Sequence, residues 1–279
     1  MRKLGLIAGG GGLPAALAAH CLKIDRPLFV VRLKGFAESN LDGYPGEMVG
    51  LAELGRGFRA LKANGCHGVC FAGSVSRPDL ARLKPDLRGL AALPGAILAA
   101  RRGDDGLLRY MVEQFEKEGF IVEGAHEVMG DLTLPVGPIG RVKPRPADME
   151  DALRAMEVAR SIGRLDVGQG AVCCDGLILA VEAQEGTDGM LRRVAALPAA
   201  IRGDPSSPRG ALAKACKPQQ DRRVDLPTIG PSTVRLAAAA GLAGIAGEAD
   251  RILVVDRIDL TELADQLGLF VIGIASSSV

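Results

Sequence analysis

The first third of the chain alternates short apolar runs with amphipathic stretches. Leu4–Ala8 is a short apolar run that ends in glycines, the pattern of a buried strand. Leu13–Lys23 then places Leu13, Ala16, Leu17 and His20 or Cys21 on one side, which is helical spacing. Pro27–Leu33 and Gly68–Ala72 predict further buried strands. Gly57–Asn64 predicts a helix stopped by Gly65, and Gly106–Glu118 an amphipathic helix leading into a strand at Phe120–Glu123. This rhythm predicts a mostly parallel sheet covered by helices.

Four prolines, Pro135, Pro138, Pro144 and Pro146, then break the pattern and predict a linker or a rigid loop. A helix follows over Met149–Ile162, with Asp148 as its expected cap and a stripe of Met149, Ala152, Leu153, Met156 and Ala159. Asp175-Gly176 separates the apolar runs Ala171–Cys174 and Leu177–Ala183. An Asp-Gly pair in that setting predicts a hairpin, because both turn residues need positive φ. Helices at Gly189–Leu197, Pro231–Ala240 and Leu260–Leu267 and strands at Leu212–Cys216, Ile252–Val255 and Leu269–Ile274 complete the pattern. The expected fold is α/β with two domains: an N-terminal Rossmann-like parallel sheet with helices over 1–134, a linker and helix over 135–165, and a C-terminal α/β domain over 166–279.

Composition narrows the function classes. Tryptophan is absent and aromatics are only 3%, which disfavours nucleic-acid binding by base stacking. A net charge of +1 provides no global field for a polyanion, so any anion must be held locally. The six cysteines form no C-x-x-C pair and the three histidines do not cluster, so a zinc site is not expected. Cys173 and Cys174 read as small core residues. The uncharged stretches Gly89–Ala100 and Leu236–Gly247, 12 residues each, are too short to span a bilayer, which takes about 20. A cytoplasmic protein with reduced thiols is expected.

Several segments carry candidate chemistry. Gly9 to Ala15 lies between a strand and a helix, and Gly10–Ala15 matches G-x-G-x-x-A. The backbone N–H groups of Gly10, Gly11 and Gly12 at a helix start suit a pyrophosphate, although a plain tight turn also explains them. The acid that an NAD site needs at the end of the second strand is replaced by Arg32, and Glu38 is the first acid afterward, so a nucleotide is favoured and NAD is not. Gly73, Ser74 and Arg77 follow a strand end, where open α/β sheets bind ligands; an ordinary strand-to-helix loop is the competing reading. Thr187 and Asp188 sit between Gly186 and Gly189, as a helix cap or as an anion or metal pocket. Lys217–Thr233 packs Asp221, Arg222, Arg223 and Asp225 into a proline-flanked loop. Aspartates four apart can share a magnesium ion and arginines pair with phosphate, against the alternative of a solvated charged loop.

Four blocks together resemble the UDP-2,3-diacylglucosamine pyrophosphatase family of lipid A synthesis over nearly the whole chain: Gly5–Pro14, Phe71–Pro78, Ala180–Asp188 and Lys217–Pro231. The resemblance, and not composition or periodicity, implies a two-domain fold with the substrate held between the domains. It also implies magnesium-dependent hydrolysis of UDP-2,3-diacylglucosamine to UMP and 2,3-diacylglucosamine 1-phosphate, with Asp225 of Arg-x-Asp-Leu-Pro as the essential carboxylate. On that basis Asp225 and Asp221 are the expected Mg2+ ligands, and Asp188 or Asp221 the group that assists Asp225. Gly10–Gly12 with Gly73, Ser74 and Arg77 are expected to hold the diphosphate or the UMP portion. Thr187, Thr228 and Gly230 are expected to donate to the lipid-side phosphate, and Arg222 to neutralise charge. The diacyl substrate implies an apolar cleft, for which Leu90–Ala100 and Leu236–Ala246 are candidates, though core packing is expected of both. Contact with the inner membrane is expected to be peripheral and transient, no nucleic acid is expected, and a homodimer is compatible. A nucleotide-sugar transferase and a non-catalytic nucleotide-sugar sensor are the rival readings.

Overall fold

The computed structural model describes residues 1–75, 83–101 and 104–275. The chain divides into two compact units: Met1–Gly130 with Asp221–Asp225, and Asp131–Gln220 with Leu226–Val279.

Unit 1 is built on five parallel strands in the order β3-β2-β1-β4-β5: β1 Leu4–Ala8, β2 Leu28–Leu33, β3 Gly46–Val49, β4 Gly68–Ala72 and β5 Ile121–Val122. Every residue of β1 is buried, as a central parallel strand covered on both faces requires. Helices α1 (Leu13–Lys23), α2 (Leu54–Ala63), α3 (Leu87–Ala100), α4 (Asp104–Lys117) and the single turn α5 (Ala125–Val128) complete the unit. One core cluster joins Ile7, Phe29, Val31, Phe58, Val69 and Phe115. The chain leaves β1 toward β2 on one side and later returns to β4 on the other. The loops after β1 and β4 therefore meet at a switch point of the sheet, where open α/β folds hold ligands. Strand β3 was not expected: Gly-Glu-Met-Val has no alternation, and it forms a half-exposed edge. Arg32 holds that edge by donating to the carbonyls of Leu41 (3.0 Å) and Tyr44 (3.2 Å).

Unit 2 contains a six-stranded mixed sheet ordered β6-β13-β11-β9-β7-β8, with β6 Gly137–Pro138, β7 Gly170–Cys174, β8 Leu177–Val181, β9 Ala211–Lys214, β11 Gly244–Glu248 and β13 Phe270–Ile274. A separate parallel pair joins β10 (Thr228–Ile229) to β12 (Leu253–Val254). Helix α6 (Pro146–Arg164) covers one face. Its Ala152, Ala155, Met156 and Ala159 pack on Ala171, Cys173, Ala211 and Ala213, a contact between small residues that lets helix and sheet approach closely. Helices α7 (Gly186–Ala195), α8 (Pro231–Ala239) and α9 (Arg257–Leu267) cover the other face, where Val172, Leu212, Ile245 and Val271 meet Leu191, Val234 and Leu260. These two sets alternate along each strand, the period-two signature of a sheet buried on both sides. Strand β11 is missing from the sequence expectation because Gly-Ile-Ala-Gly-Glu lacks a branched apolar run. The glycines are sterically required: a Cβ on Gly244 would stand 2.3 Å from the Phe270 ring and one on Gly247 2.8 Å from Ile252. The expected strand at Ile252–Val255 shrinks to β12 and lies outside the main sheet. The proline-rich stretch supplies edge strand β6, paired antiparallel with β13. Among the described residues no helix is long and apolar enough to cross a membrane.

The predicted hairpin is present, with Asp175 at φ 49° and Gly176 at φ 75°. Helix α6 holds it: buried Asp151 accepts from the N–H groups of Asp175 (2.9 Å) and Gly176 (2.7 Å) and from the Cys173 thiol (3.1 Å). Burial, then that bond to Asp151, pushes the Cys173 thiol up to about 12. Asp148 does not cap α6, whose N-cap is Arg145. It lies in the first turn and accepts from Arg145 Nε (2.6 Å) and Gly210 N–H (3.2 Å). Asp151→Ala leaves two turn N–H groups without their acceptor. We expect a loss of about 2 kcal/mol in urea denaturation, with faster alkylation of Cys173. An unchanged midpoint would show that water replaces the carboxylate.

Candidate active site

In unit 1 the glycine turn and the loop after β4 are sewn together by backbone. Gly9 N–H donates to the Ala72 carbonyl (2.8 Å), and Gly10 and Ser74 exchange N–H to carbonyl bonds in both directions (2.9 Å each). A Cβ on Gly9 would stand 2.7 Å from the Ser74 carbonyl oxygen, and one on Gly73, at φ +90°, 2.5 Å from that of Gly10. Close passage of two backbones thus accounts for Gly9 and Gly73. The Gly11 N–H donates to Glu38 Oε1 (3.0 Å). Two of the three N–H groups expected to cradle a diphosphate are therefore engaged, and only Gly12, at the N-cap of α1, has no such bond among the described residues. A carboxylate stands at this helix start instead, where the positive end of the helix favours it. That arrangement suits a group that donates hydrogen bonds better than it suits a second anion. Arg77 lies outside the described residues.

The Asp221–Asp225 turn also belongs to unit 1. Val224 and Asp225 both donate backbone N–H to the Asp221 carbonyl at 3.0 Å, which closes one helical turn. The Asp221 carboxylate accepts from Arg223 N (3.0 Å), Nε (3.0 Å) and Nη2 (2.7 Å), while Arg223 Nη1 reaches Glu116 on α4 (2.7 Å). Val224 packs against the phenylalanine core of unit 1. The Arg223 hydrogen bonds hold the Asp221 carboxyl below the usual carboxylate range, and the same bonds raise Arg223. The sign is that of a depressed acid: the stability it contributes is present above the unfolded pKa of about 3.9 and is lost as pH falls through the lower folded value. The clamp is thus intact across the neutral range. Both Asp221 carboxylate oxygens lie on Arg223, so Asp221 shapes the turn. Asp225 is half-buried at the end of this turn, and Arg222 is exposed on it. Gly124 admits the backbone here, since a Cβ on it would stand 3.2 Å from Arg223 Cα. It would also stand 2.7 Å from His126 Nδ1, a buried nitrogen without a hydrogen-bond partner. Burial, with Arg222 nearby, lowers the His126 pKa.

Among the described residues no three His, Cys, Asp or Glu side chains gather into a metal cage. Magnesium needs none, since it binds through one or two carboxylates, water and substrate phosphates.

In unit 2 the structure brings Thr187 and Thr228 together through a residue that the sequence reading missed. Lys214 closes β9 and is buried. Its Nζ donates to Thr187 Oγ1 (2.8 Å) and to the Thr228 carbonyl (3.1 Å). Thr187 Oγ1 in turn donates to Glu182 Oε1 (3.2 Å), and Glu182 is buried with Oε2 unpartnered. The Thr187 hydrogen therefore faces Glu182, the Thr228 hydroxyl donates to the Leu226 carbonyl (3.2 Å), and the Gly230 N–H donates to Thr233 Oγ1 (3.3 Å). All three expected phosphate donors have acceptors within the protein. Neither Thr187 nor Asp188 caps α7: the N-cap is Glu185, without a side-chain cap bond. Asp188 is half-exposed in the first turn, 3.9 Å from Arg192. A lysine inside the small-residue run Ala211–Cys216 was the available signal for Lys214.

Residues 3–132 match the family described as the LpxI N-terminal domain, and residues 135–272 the LpxI C-terminal domain. Over 274 residues, 98% of each chain, the sequence is 62% identical to UDP-2,3-diacylglucosamine pyrophosphatase LpxI of Caulobacter vibrioides.

Proposed function

The chain belongs to the LpxI family of UDP-2,3-diacylglucosamine pyrophosphatases, and from that membership we propose that it hydrolyses UDP-2,3-diacylglucosamine to UMP and 2,3-diacylglucosamine 1-phosphate. The observation that carries this reading is identity extending end to end through both units. Splitting a pyrophosphate asks a protein mainly for positioning and for neutralisation of phosphate charge. Asp225 is the residue that would hold Mg2+, which when bound neutralises the phosphate oxygens as the bond to the leaving group breaks. The Asp221–Arg223–Glu116 clamp fixes the turn that presents Asp225. Arg222 adds positive charge on the same turn, and Asp188 is the remaining candidate to orient water. In unit 2 the buried Lys214 charge sits at the start of α7 and makes that corner the receptor for the sugar phosphate. The protein works in the cytoplasm and meets the inner membrane peripherally and transiently, where a diacylated substrate resides.

The glycine turn takes the nucleoside side. Glu38 at Gly11 accepts hydrogen bonds, which ribose hydroxyls or a uracil N–H can give and a phosphate cannot. Glu38→Ala is expected to raise KM by about tenfold with little change in kcat. A KM that falls would mean that the carboxylate repels a phosphate at the turn.

The overall reading is tested by incubating the protein with UDP-2,3-diacylglucosamine, with and without Mg2+, and following UMP by mass spectrometry. UMP released with no added acceptor is the expected result; release only with an acceptor would make the protein a transferase. Water labelled with heavy oxygen identifies the phosphorus attacked.

A further inference from the structure

Helix α3 is turned inside out. Its inward side is small: Gly89 and Ala92 are its buried residues, and Gly95 lies against Tyr110 of α4. The large apolar residues face outward, with Leu87 88%, Leu90 57%, Ile97 39% and Leu98 57% exposed. With Ala91 and Pro94 they form one stripe at helical spacing. The rotation of the helix is fixed. A Cβ on Gly89 would stand 1.8 Å from the Ala52 carbonyl oxygen, and one on Gly95 2.6 Å from the Tyr110 hydroxyl. Tyr110 donates to the Ala92 carbonyl (2.9 Å), and Asp86 caps the first turn through the Gly89 N–H (2.8 Å). No rotation buries the leucines without driving side chains into these contacts. The core-packing role expected for Leu90–Ala100 is thus overturned, whereas Leu236–Ala246 does contribute to the core through Ala237, Leu242 and Ile245.

What covers this stripe is indicated by its charges. Leu87–Ala100 contains no acidic residue; its one cation, exposed Arg88, is ion-paired with Glu118, and exposed Lys84 and Arg101 flank the helix. Packing against a second copy would bring these like charges together. An anionic bilayer complements them while taking up the leucines, the arrangement of an interfacial helix. We propose that the outward face of α3 is the surface by which this protein docks on anionic phospholipid membranes, from which it draws its diacylated substrate. The purpose of docking rests on the function proposed above; the docking itself does not.

The test is co-sedimentation with vesicles of phosphatidylethanolamine containing roughly a third phosphatidylglycerol, against vesicles of phosphatidylcholine alone. Wild type is expected to bind the anionic vesicles at least about tenfold better, and to lose binding as salt screens the lysine and arginines. Leu90→Asn/Leu98→Asn removes apolar contact without adding charge and is expected to weaken binding about tenfold or more, with an unchanged thermal midpoint. The same variant should show a raised KM toward substrate presented in vesicles and normal turnover in detergent micelles. Undiminished vesicle binding by the variant, or no binding by wild type, overturns the proposal. So does a wild-type dimer that the substitutions convert to monomer, since the stripe would then belong to a second copy. Absence of turnover by wild type in detergent would instead count against the hydrolase reading and leave the vesicle result to stand or fall by itself.

Discussion

Asp225→Ala is expected to lower kcat on UDP-2,3-diacylglucosamine by about 10³-fold or more, roughly 4 kcal/mol of transition-state stabilisation, with KM within a few-fold of wild type. Several bonds that do not involve the Asp225 side chain hold the turn that carries it. Its backbone N–H bonds the Asp221 carbonyl, Arg223 joins the Asp221 carboxylate to Glu116, and Val224 is packed on the core of unit 1. Removing the Asp225 carboxylate takes away a charge while these bonds remain. The Asp221 variant provides the contrast. Asp221→Asn weakens a clamp that neutral pH leaves intact, so it should lower turnover moderately and leave the Mg2+ concentration for half-maximal activity near that of wild type. Steady-state kinetics over a magnesium titration separate the two. Near-normal kcat for Asp225→Ala would end its assignment as the metal-holding group. A rise of tenfold or more in the magnesium requirement of Asp221→Asn would return Asp221 to the metal.

What could be read from the chain in advance was the part governed by local pattern. Leu4–Ala8, Leu13–Lys23 and the Asp175-Gly176 hairpin follow from hydrophobic period and turn chemistry, and they appear at or near the expected bounds. Strand β11 did not appear, because its small residues answer to Phe270 and Ile252, which lie elsewhere in the sequence. Helix α3 was visible as an uncharged stretch but not as an outward one, since its direction is set by Tyr110 and Ala52. The site divides in the same way. The glycine turn and the Asp221–Asp225 loop were marked by composition. Their hydrogen-bond partners were not: Glu38 reaches Gly11 across 27 residues, and Arg223 reaches Glu116 across 107. Long-range partners decide whether a glycine N–H or a carboxylate is available to a ligand, and no spacing rule reports them.

Lys214 shows the consequence most sharply, and its replacement should have the second-largest effect. Lys214→Met alone removes the cation from a buried chain of polar groups and leaves buried Glu182, with one oxygen already unpartnered, only its Thr187 bond. Taking a charge out of a buried hydrogen-bonded network destabilises by up to about 3–5 kcal/mol, so unfolding alone would also abolish activity in that variant. The informative protein is Lys214→Met/Glu182→Gln, which removes both charges joined through Thr187 and should regain part of the thermal midpoint. If Lys214 positions the sugar phosphate, the double variant still loses about 100-fold in kcat/KM, roughly 2.7 kcal/mol, because the positive charge at the start of α7 is gone. Inhibition by 2,3-diacylglucosamine 1-phosphate should weaken in parallel, while UMP binding, proposed above for the glycine turn of unit 1, stays as in wild type. If the network only braces the sheet end, activity returns together with stability and product inhibition is unchanged. Calorimetry with each product, set beside the thermal melts, decides between a lysine that holds phosphate in place and one that holds two threonines.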